Sequence, residues 1–110
     1  RIASIAASGL RAASLRAEVS AHSVANVSTP GFQPQRVVSE EQRGGGVSAR
    51  VAPESPELAS VGRVDGESLP SGTDLIGETV QRSLARHAFS ANLAVLRSAD
   101  EMAEELVKRR

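Results

Sequence analysis

Apolar residues recur every three or four positions near both ends of the chain, which is the spacing of one face of an α-helix. In residues 1–26 two such ridges lie side by side. The main ridge consists of Ile2, Ala6, Leu10, Ala13, Ala17, Ala21 and Val24. The second ridge consists of Ile5, Gly9, Ala12 and Val19. The pattern predicts an N-terminal helix that ends near Asn26. Gly9 is either a tolerated helix glycine or a point where another backbone approaches closely.

Residues 73–108 carry the strongest helical pattern, with Thr73 or Asp74 as the predicted N-cap. The main ridge consists of Ile76, Val80, Leu84, Ala88, Ala91, Val95, Ala99, Met102 and Leu106. A flanking ridge consists of Phe89, Leu93, Leu96, Ala103 and Val107. Together the two ridges cover more of the circumference than one partner helix can bury. A helix of roughly 50–55 Å with no third helix to pack on favours a filament or a bundle over a compact globule.

The middle of the chain, residues 33–72, is polar and rich in proline and glycine. Val37-Val38 and Val47–Val51 have the character of short strands, and Gly44-Gly45-Gly46 separates them. The later prolines and glycines predict extended loop, at Pro53, Pro56, Gly62, Gly66, Pro70 and Gly72. We therefore predict a mainly α fold in one domain. Its long N- and C-terminal helices pair as an α-helical coiled coil, and its middle holds a small β-hairpin.

A turn is predicted directly after the first helix, at Thr29-Pro30-Gly31-Phe32. Proline presets the first central position of a type II turn, and glycine accepts the positive φ of the second. Phe32 then follows the turn, where it can fold back onto the helix. Asn26, Thr29, Pro30 and Gly31 are the predicted turn residues.

Composition indicates a thin core, because the chain has two Phe, one Met, no Trp and no Tyr. Much of its hydrophobic fraction is alanine, which has little apolar area to bury. We expect a marginal monomer whose apolar surface is completed by neighbouring molecules. The predicted interface residues are Ile2, Ile5, Leu10, Val19, Val24, Phe32, Ile76, Val80, Leu84, Phe89, Leu93, Val95, Leu96, Met102 and Leu106.

Charge and cysteine content narrow the possible partners. Thirteen basic residues balance thirteen acidic ones, which removes the general electrostatic reason to expect nucleic acid or an anionic membrane. There is no cysteine, and no apolar run reaches the length of about 18 residues that a membrane span requires. We expect neither membrane insertion nor a Sec signal peptide.

Residues of the kinds that carry catalysis do not form a recognisable constellation. His22 and His87 lack a second His or Cys at ligand spacing, and no Gly-x-Ser-x-Gly elbow is present. The triple glycine lacks the Lys-Ser/Thr of a phosphate-binding loop. The acidic group of Asp100, Glu101, Glu104 and Glu105 is interleaved with basic residues, which is typical of a solvated face. We predict that the protein is not an enzyme and uses no cofactor or metal.

Two blocks of the sequence resemble the terminal signatures of bacterial flagellar axial proteins, the rod and hook components. The N-terminal block is Ser8-Gly9-Leu10 followed by residues 19–32, which end in Thr-Pro-Gly-Phe. The C-terminal block contains residues 74–78 (DLIGE), 86–92 (RHAFSAN) and 98–102 (SADEM). His22 stands where the family usually has Asn, and Phe89 where it usually has Tyr. The short middle segment is similar to that of proximal-rod subunits.

The resemblance implies a structural subunit of the flagellar basal-body rod that assembles through its terminal helices into a torque-transmitting helical tube. Its implied partners are copies of itself, other axial proteins and the flagellar type III export apparatus. The implied location is the periplasmic part of the basal body, reached without a Sec signal. The same amphipathic ends leave an alternative open, a small helical adaptor or a module like a secretion chaperone. An enzyme has no supporting constellation.

Overall fold

The fold was analysed in a computed structural model of the 110-residue chain. It describes residues 1–54 and 70–109, together with the backbone of 63–64 and 67–68. The elements in chain order are α1 (Ile2–Ala25), β1 (Gln35–Glu41), β2 (Val47–Pro53), β3 (Arg63–Val64), β4 (Glu67–Ser68) and α2 (Leu75–Lys108). The prediction of two long terminal helices with a β-hairpin between them is confirmed.

The two helices begin and end where the sequence signals place them. Asn26 is the C-cap of α1, and its backbone N–H donates to carbonyl groups of the last helical turn. Asp74 is the N-cap of α2, where its Oδ1 accepts from the backbone N–H of Ile76 at 3.1 Å. Such a cap satisfies an N–H group that has no partner within the helix.

Small side chains form the interface between α1 and α2, which we call the seam. Ala6 and Ala13 of α1 and Ala85 of α2 are buried there. At Gly9 the helices come so close that a Cβ would overlap the side-chain amide of Asn92. The absence of a Cβ at Gly9 thus makes room for a side chain of α2, whereas the sequence position predicted either a tolerated glycine or the approach of another backbone.

Polar contacts fix how the two helices are aligned along the seam. The Ser20 hydroxyl donates to the carbonyl oxygen of Glu78 at 3.2 Å, and the Thr73 hydroxyl donates to that of Ser23 at 3.0 Å. Because Gly9 meets Asn92 while Ser20 and Ser23 meet residues near the start of α2, the helices run antiparallel.

Strands β1 and β2 form an antiparallel hairpin in which Gln35 lies opposite Pro53 and Glu41 opposite Val47. Each strand has seven residues, so both are longer than the predicted ones. The sequence predicts that Val47, Ala49 and Val51 alternate with exposed Ser48 and Arg50. Val47 and Ala49 are half-buried and Ser48 and Arg50 are exposed, but Val51 is 40% exposed, so the alternation fails at Val51. The short strands β3 and β4 pair with each other. Of the positions predicted as loop, Pro53 is instead the last residue of β2, because it pairs with Gln35, while Pro70 and Gly72 lie in loop. Pro56, Gly62 and Gly66 lie outside the described residues.

The hairpin lies along α1. The Arg16 guanidinium donates to the hydroxyl of Ser39 at 2.9 Å, and the backbone N–H of Val47 donates to that of Ser8 at 3.0 Å. Helix α1 thus contacts α2 on one side and the hairpin on another, so the core of the molecule is centred on α1. The molecule is elongated, measuring 73 × 26 × 14 Å.

Replacing Gly9 by alanine should show how the Asn92 amide that lies against Gly9 affects the free energy of unfolding. Alanine raises helix propensity by about 1 kcal/mol over glycine, but its methyl group would displace the Asn92 amide. We expect Gly9→Ala to be stabilising by about 1 kcal/mol in an Asn92→Ala background, and to lose that gain when Asn92 is present. Urea unfolding of the four proteins in the cycle measures the coupling.

Gly44→Ala is the matched control, because a Cβ at Gly44 would meet no atom within 4 Å. Additive effects of Gly9→Ala and Asn92→Ala would show that the Asn92 amide does not lie against Gly9 in solution.

Candidate assembly surface

A continuous apolar surface runs along the full length of α2, facing away from both α1 and the hairpin. We call it the α2 stripe; it consists of Ile76, Val80, Leu84, Ala91, Val95, Met102 and Leu106. All seven side chains are exposed, and Ile76, Leu84 and Leu106 are 80%, 57% and 71% exposed. Successive members are spaced by four or seven residues, which places them on one side of a helix.

The α2 stripe is exposed because α1 packs on a different side of the same helix. The seam uses Glu78, Ala85 and Asn92, which are spaced by seven residues. Ala85 follows Leu84 directly, so the two side chains point about 100° apart around the helix axis. A single partner helix cannot cover both faces. The large apolar side chains are therefore left on the surface while small ones fill the seam.

The remaining predicted interface residues divide into two groups. Ile2, Ile5 and Phe89 are exposed at their positions on the two helices. The half-buried group lies along the contacts between elements and consists of Leu10, Val19, Val24, Phe32, Leu93 and Leu96. Six of the predicted α2 residues, Ile76, Val80, Leu84, Val95, Met102 and Leu106, therefore lie on the open stripe, while Leu93 and Leu96 are half-buried.

The C-terminal end of α2 extends past α1. Helix α1 has 24 residues and α2 has 34, and Gly9 of α1 is level with Asn92. At 1.5 Å per residue, α2 is about 15 Å longer. Met102, Leu106 and Val107 lie on this extension and are more than half exposed. The extension adds an apolar end to the α2 stripe.

The turn after α1 closes the opposite end of the molecule. The N–H of Phe32 donates to the carbonyl oxygen of Thr29 at 3.2 Å, and Gly31 has a φ of 77°. These are features of the predicted type II turn. The Phe32 ring folds back against His22, with ring centroids 5.5 Å apart in an edge-on arrangement.

Asn26 ties this turn to the end of α1. Its side-chain amide donates to the carbonyl oxygen of His22 at 2.9 Å, and its Oδ1 accepts from the Thr29 hydroxyl at 3.0 Å. The backbone N–H of Thr29 also donates to the carbonyl oxygen of Asn26 at 3.0 Å. All four predicted turn residues therefore belong to one connected structure at the end of the helix pair.

Sequence reasoning did not identify Glu78 and Asn92 as seam residues. Glu78 is only 8% exposed although it is a charged residue in the first turn of α2, where the positive end of the helix dipole favours a carboxylate. Asn92 donates its amide to the carbonyl oxygen of Ala88 at 2.8 Å, which lets it lie against Gly9. The mid-helix glycine was the one signal of such a contact.

Metal-binding clusters are absent from the part of the chain that the structure describes. There, no three His, Cys, Asp or Glu residues lie close enough together to hold a metal ion. Within the same residues, neither helix has the length and apolar character needed to cross a bilayer.

Comparison with known proteins adds no family assignment: no family model matches the chain, and no curated protein matches its sequence. The fold itself belongs to a general class of architecture: an elongated pair of antiparallel helices with a hairpin packed on one of them and an exposed apolar stripe on the other.

The turn should be sensitive to a side chain at Gly31. A residue with a Cβ at this positive φ is strained, so Gly31→Ala should lower the free energy of unfolding by about 1–2 kcal/mol. Gly31→Asn should cost less, because asparagine tolerates the left-handed region better. Thermal or urea unfolding of the two variants measures the difference. Equal stability of wild type and Gly31→Ala would contradict the described turn.

Proposed function

We propose that this protein is a structural subunit of the bacterial flagellar basal-body rod. Subunits associate through their terminal helices into a helical tube that transmits torque by rigid packing. Its partners are further copies of the chain and other axial proteins of the rod and hook. The proposal rests on one observation: the large apolar side chains of α2 lie exposed along its whole length.

The α2 stripe supports assembly on energetic grounds. Burial of apolar surface contributes about 25 cal/mol per Å², and a contiguous exposed apolar patch is typical of a protein interface. The seam contains mostly alanine, serine and glycine, so it buries little apolar area. Association through the stripe would bury the leucine, isoleucine, valine and methionine side chains that the isolated chain leaves in water.

The shape of the surface favours an open assembly over a closed dimer. The stripe lies on α2, and α1 carries separate exposed apolar side chains, Ile2 and Ile5. A contact between two different patches is heterologous, and repetition of such a contact generates rings or helical tubes. The elongated helix pair gives each subunit a long side along which neighbours can pack.

The resemblance in sequence supports the flagellar assignment within the class of helical assemblies. The Thr-Pro-Gly-Phe segment forms an ordered turn at the end of α1, and the DLIGE segment begins α2 with an Asp74 cap. Both blocks therefore lie on the paired terminal helices, where the axial family would need them.

Deletion of the gene tests the cellular role. The deletion strain should lose motility and should lack complete basal bodies in electron micrographs, and expression in trans should restore both. Motile cells with intact basal bodies after deletion would rule out the proposed function.

A charge on the α2 stripe should block assembly without unfolding the subunit. Leu84 is largely exposed, so Leu84→Asp should keep the helical circular dichroism of the wild type. In an interface the carboxylate would lose water without gaining a partner, which should raise the critical concentration for assembly by at least about tenfold. Light scattering and sedimentation over a concentration series measure this.

Ser90→Asp is the matched control, since Ser90 is exposed on α2 at about 120° around the helix from Leu84. Normal assembly of Leu84→Asp would exclude the stripe as the interface. A wild-type protein that forms a discrete closed dimer at all concentrations would instead favour the adaptor or chaperone alternative.

A further inference from the structure

We propose that His87 makes assembly through the α2 stripe dependent on pH: the neutral imidazole permits the contact and the imidazolium opposes it. The inference rests on the proposed function, because it concerns the regulation of the same surface. Histidine changes its charge between about pH 5 and 8, so a histidine within an interface can act as a switch over that range.

The position of His87 on α2 places it among the apolar members of the stripe. With about 100° of rotation per residue, His87 points between Ile76 and Val80, about 20° from each around the helix axis. It follows Leu84 by three residues and precedes Ala91 by four, so it lies one helical turn from both. A molecule that covers the stripe would therefore cover His87 as well.

The structure also places the imidazole beside stripe side chains. His87 lines a shallow depression of about 340 Å³ together with Val80 and Leu84, and the other lining residues, Thr79 and Ser83, are uncharged. His87 is exposed in the free subunit, so water solvates its charged form there. The imidazole loses that water only when another molecule packs on the stripe.

Helix α1 packs on a different side of α2. Ala85 in the seam precedes His87 by two residues, so the two side chains point about 160° apart around the axis. The hairpin packs on α1 and is farther away. The charged and titratable residues of α1 therefore lie on the far side of α2 from the imidazole: Arg11, Arg16, Glu18 and His22.

Helix α2 offers no counter-charge one turn away from His87. An acidic residue three or four positions away could pair with the imidazolium. The residues at those positions are uncharged: Ser83, Leu84, Ser90 and Ala91. The adjacent residue Arg86 has the same sign as the imidazolium. A protonated His87 would enter the interface without a partner from its own subunit, and burial of an unpaired charge is strongly unfavourable.

The acidic residues of α2 are distant from His87 or face elsewhere. Glu78 is buried in the seam. Glu101 and Glu105 follow His87 by 14 and 18 residues, which is at least about 20 Å along the axis. The carboxylate of Glu105 also lies 4.0 Å from the guanidinium of Arg109. Carboxylates generally titrate below pH 5, so a change in assembly between pH 5.5 and 8 would report on histidine.

The direction of the pH effect follows from which form of the imidazole the interface accepts. Covering the stripe favours the neutral form, so a subunit that is protonated at His87 must release its proton when the contact forms. Acid therefore weakens assembly, and the effect disappears at high pH, where the imidazole is already neutral. Release of one proton per contact raises the critical concentration by about tenfold per pH unit on the acid side.

Assembly measured at pH 8 and pH 5.5 tests the inference. The critical concentration of the wild type, measured by light scattering and sedimentation, should be at least about fivefold higher at pH 5.5. His87→Gln stays neutral and should assemble equally well at both pH values. His87→Lys is charged at both and should assemble poorly at both. Circular dichroism verifies that each protein is folded at each pH.

His22→Gln is the matched control, because His22 is the other histidine of the chain. Its ring lies against Phe32 beside the turn after α1, away from the α2 stripe. This variant should keep the pH dependence of the wild type. Loss of the pH dependence in His22→Gln would assign the effect to the wrong histidine and would overturn the inference.

The remaining outcomes separate the switch from the proposed function. A wild type with the same critical concentration at both pH values overturns the switch, and so does a His87→Gln variant that keeps the pH dependence. Stronger assembly at pH 5.5 also overturns it, because a carboxylate of the neighbouring copy would then receive the imidazolium. In these cases the wild type still assembles, and the proposed function stands. Wild-type protein that assembles at neither pH contradicts the proposed function, and the switch falls with it.

Discussion

The close approach of α1 and α2 is the constraint on which the rest of this structure depends. Small residues line the seam: Ala13 and Ala85 are buried in it, and the Asn92 amide lies against Gly9. Van der Waals attraction rises steeply at short distance, so a seam of small residues can be well packed. It nevertheless buries little apolar area, and the larger side chains must lie elsewhere on the two helices.

As a consequence, small buried side chains and large exposed side chains lie on different sides of α2. Leu84 and Ala85 are neighbours in sequence, yet one is largely exposed and the other is in the seam. The exposed fraction of Leu84 is therefore a result of the geometry of the seam, and not of poor packing within it. A sequence that placed its large residues in the seam would separate the helices and would leave the outer face polar.

The helices and the turn could be predicted because the signals that determine them involve only residues close together in the sequence. The ridge spacing determines the helices, Asp74 begins α2, and Pro30-Gly31 sets the turn. The alternation at Val47, Ala49 and Val51 identified a strand. The strand lengths were underestimated because Gln35 and Glu41 extend β1 through pairing with β2 and not through their own strand propensity.

The candidate surface was harder to predict, because periodicity cannot decide which of two apolar faces meets the partner helix. The two ridges of α2 indicated more apolar surface than one helix can cover, and the seam uses the face of Ala85 and Asn92, which belong to neither ridge. The reason lies in α1, where Gly9 and Ala13 leave room only for a close neighbour. Choosing between the faces requires knowledge of the partner as well as of the helix itself.

Helix α1 is the element on which both α2 and the hairpin pack. Its seam side is occupied by α2, another side is covered by the hairpin, and Asn26 fastens the following turn to its end. Among the described residues, both strands of the hairpin pack on α1. The seam contacts Ser20–Glu78 and Ser23–Thr73 do not include any hairpin residue, so the alignment of the two helices is set without the hairpin. A rigid assembly built from this subunit would have to preserve that alignment.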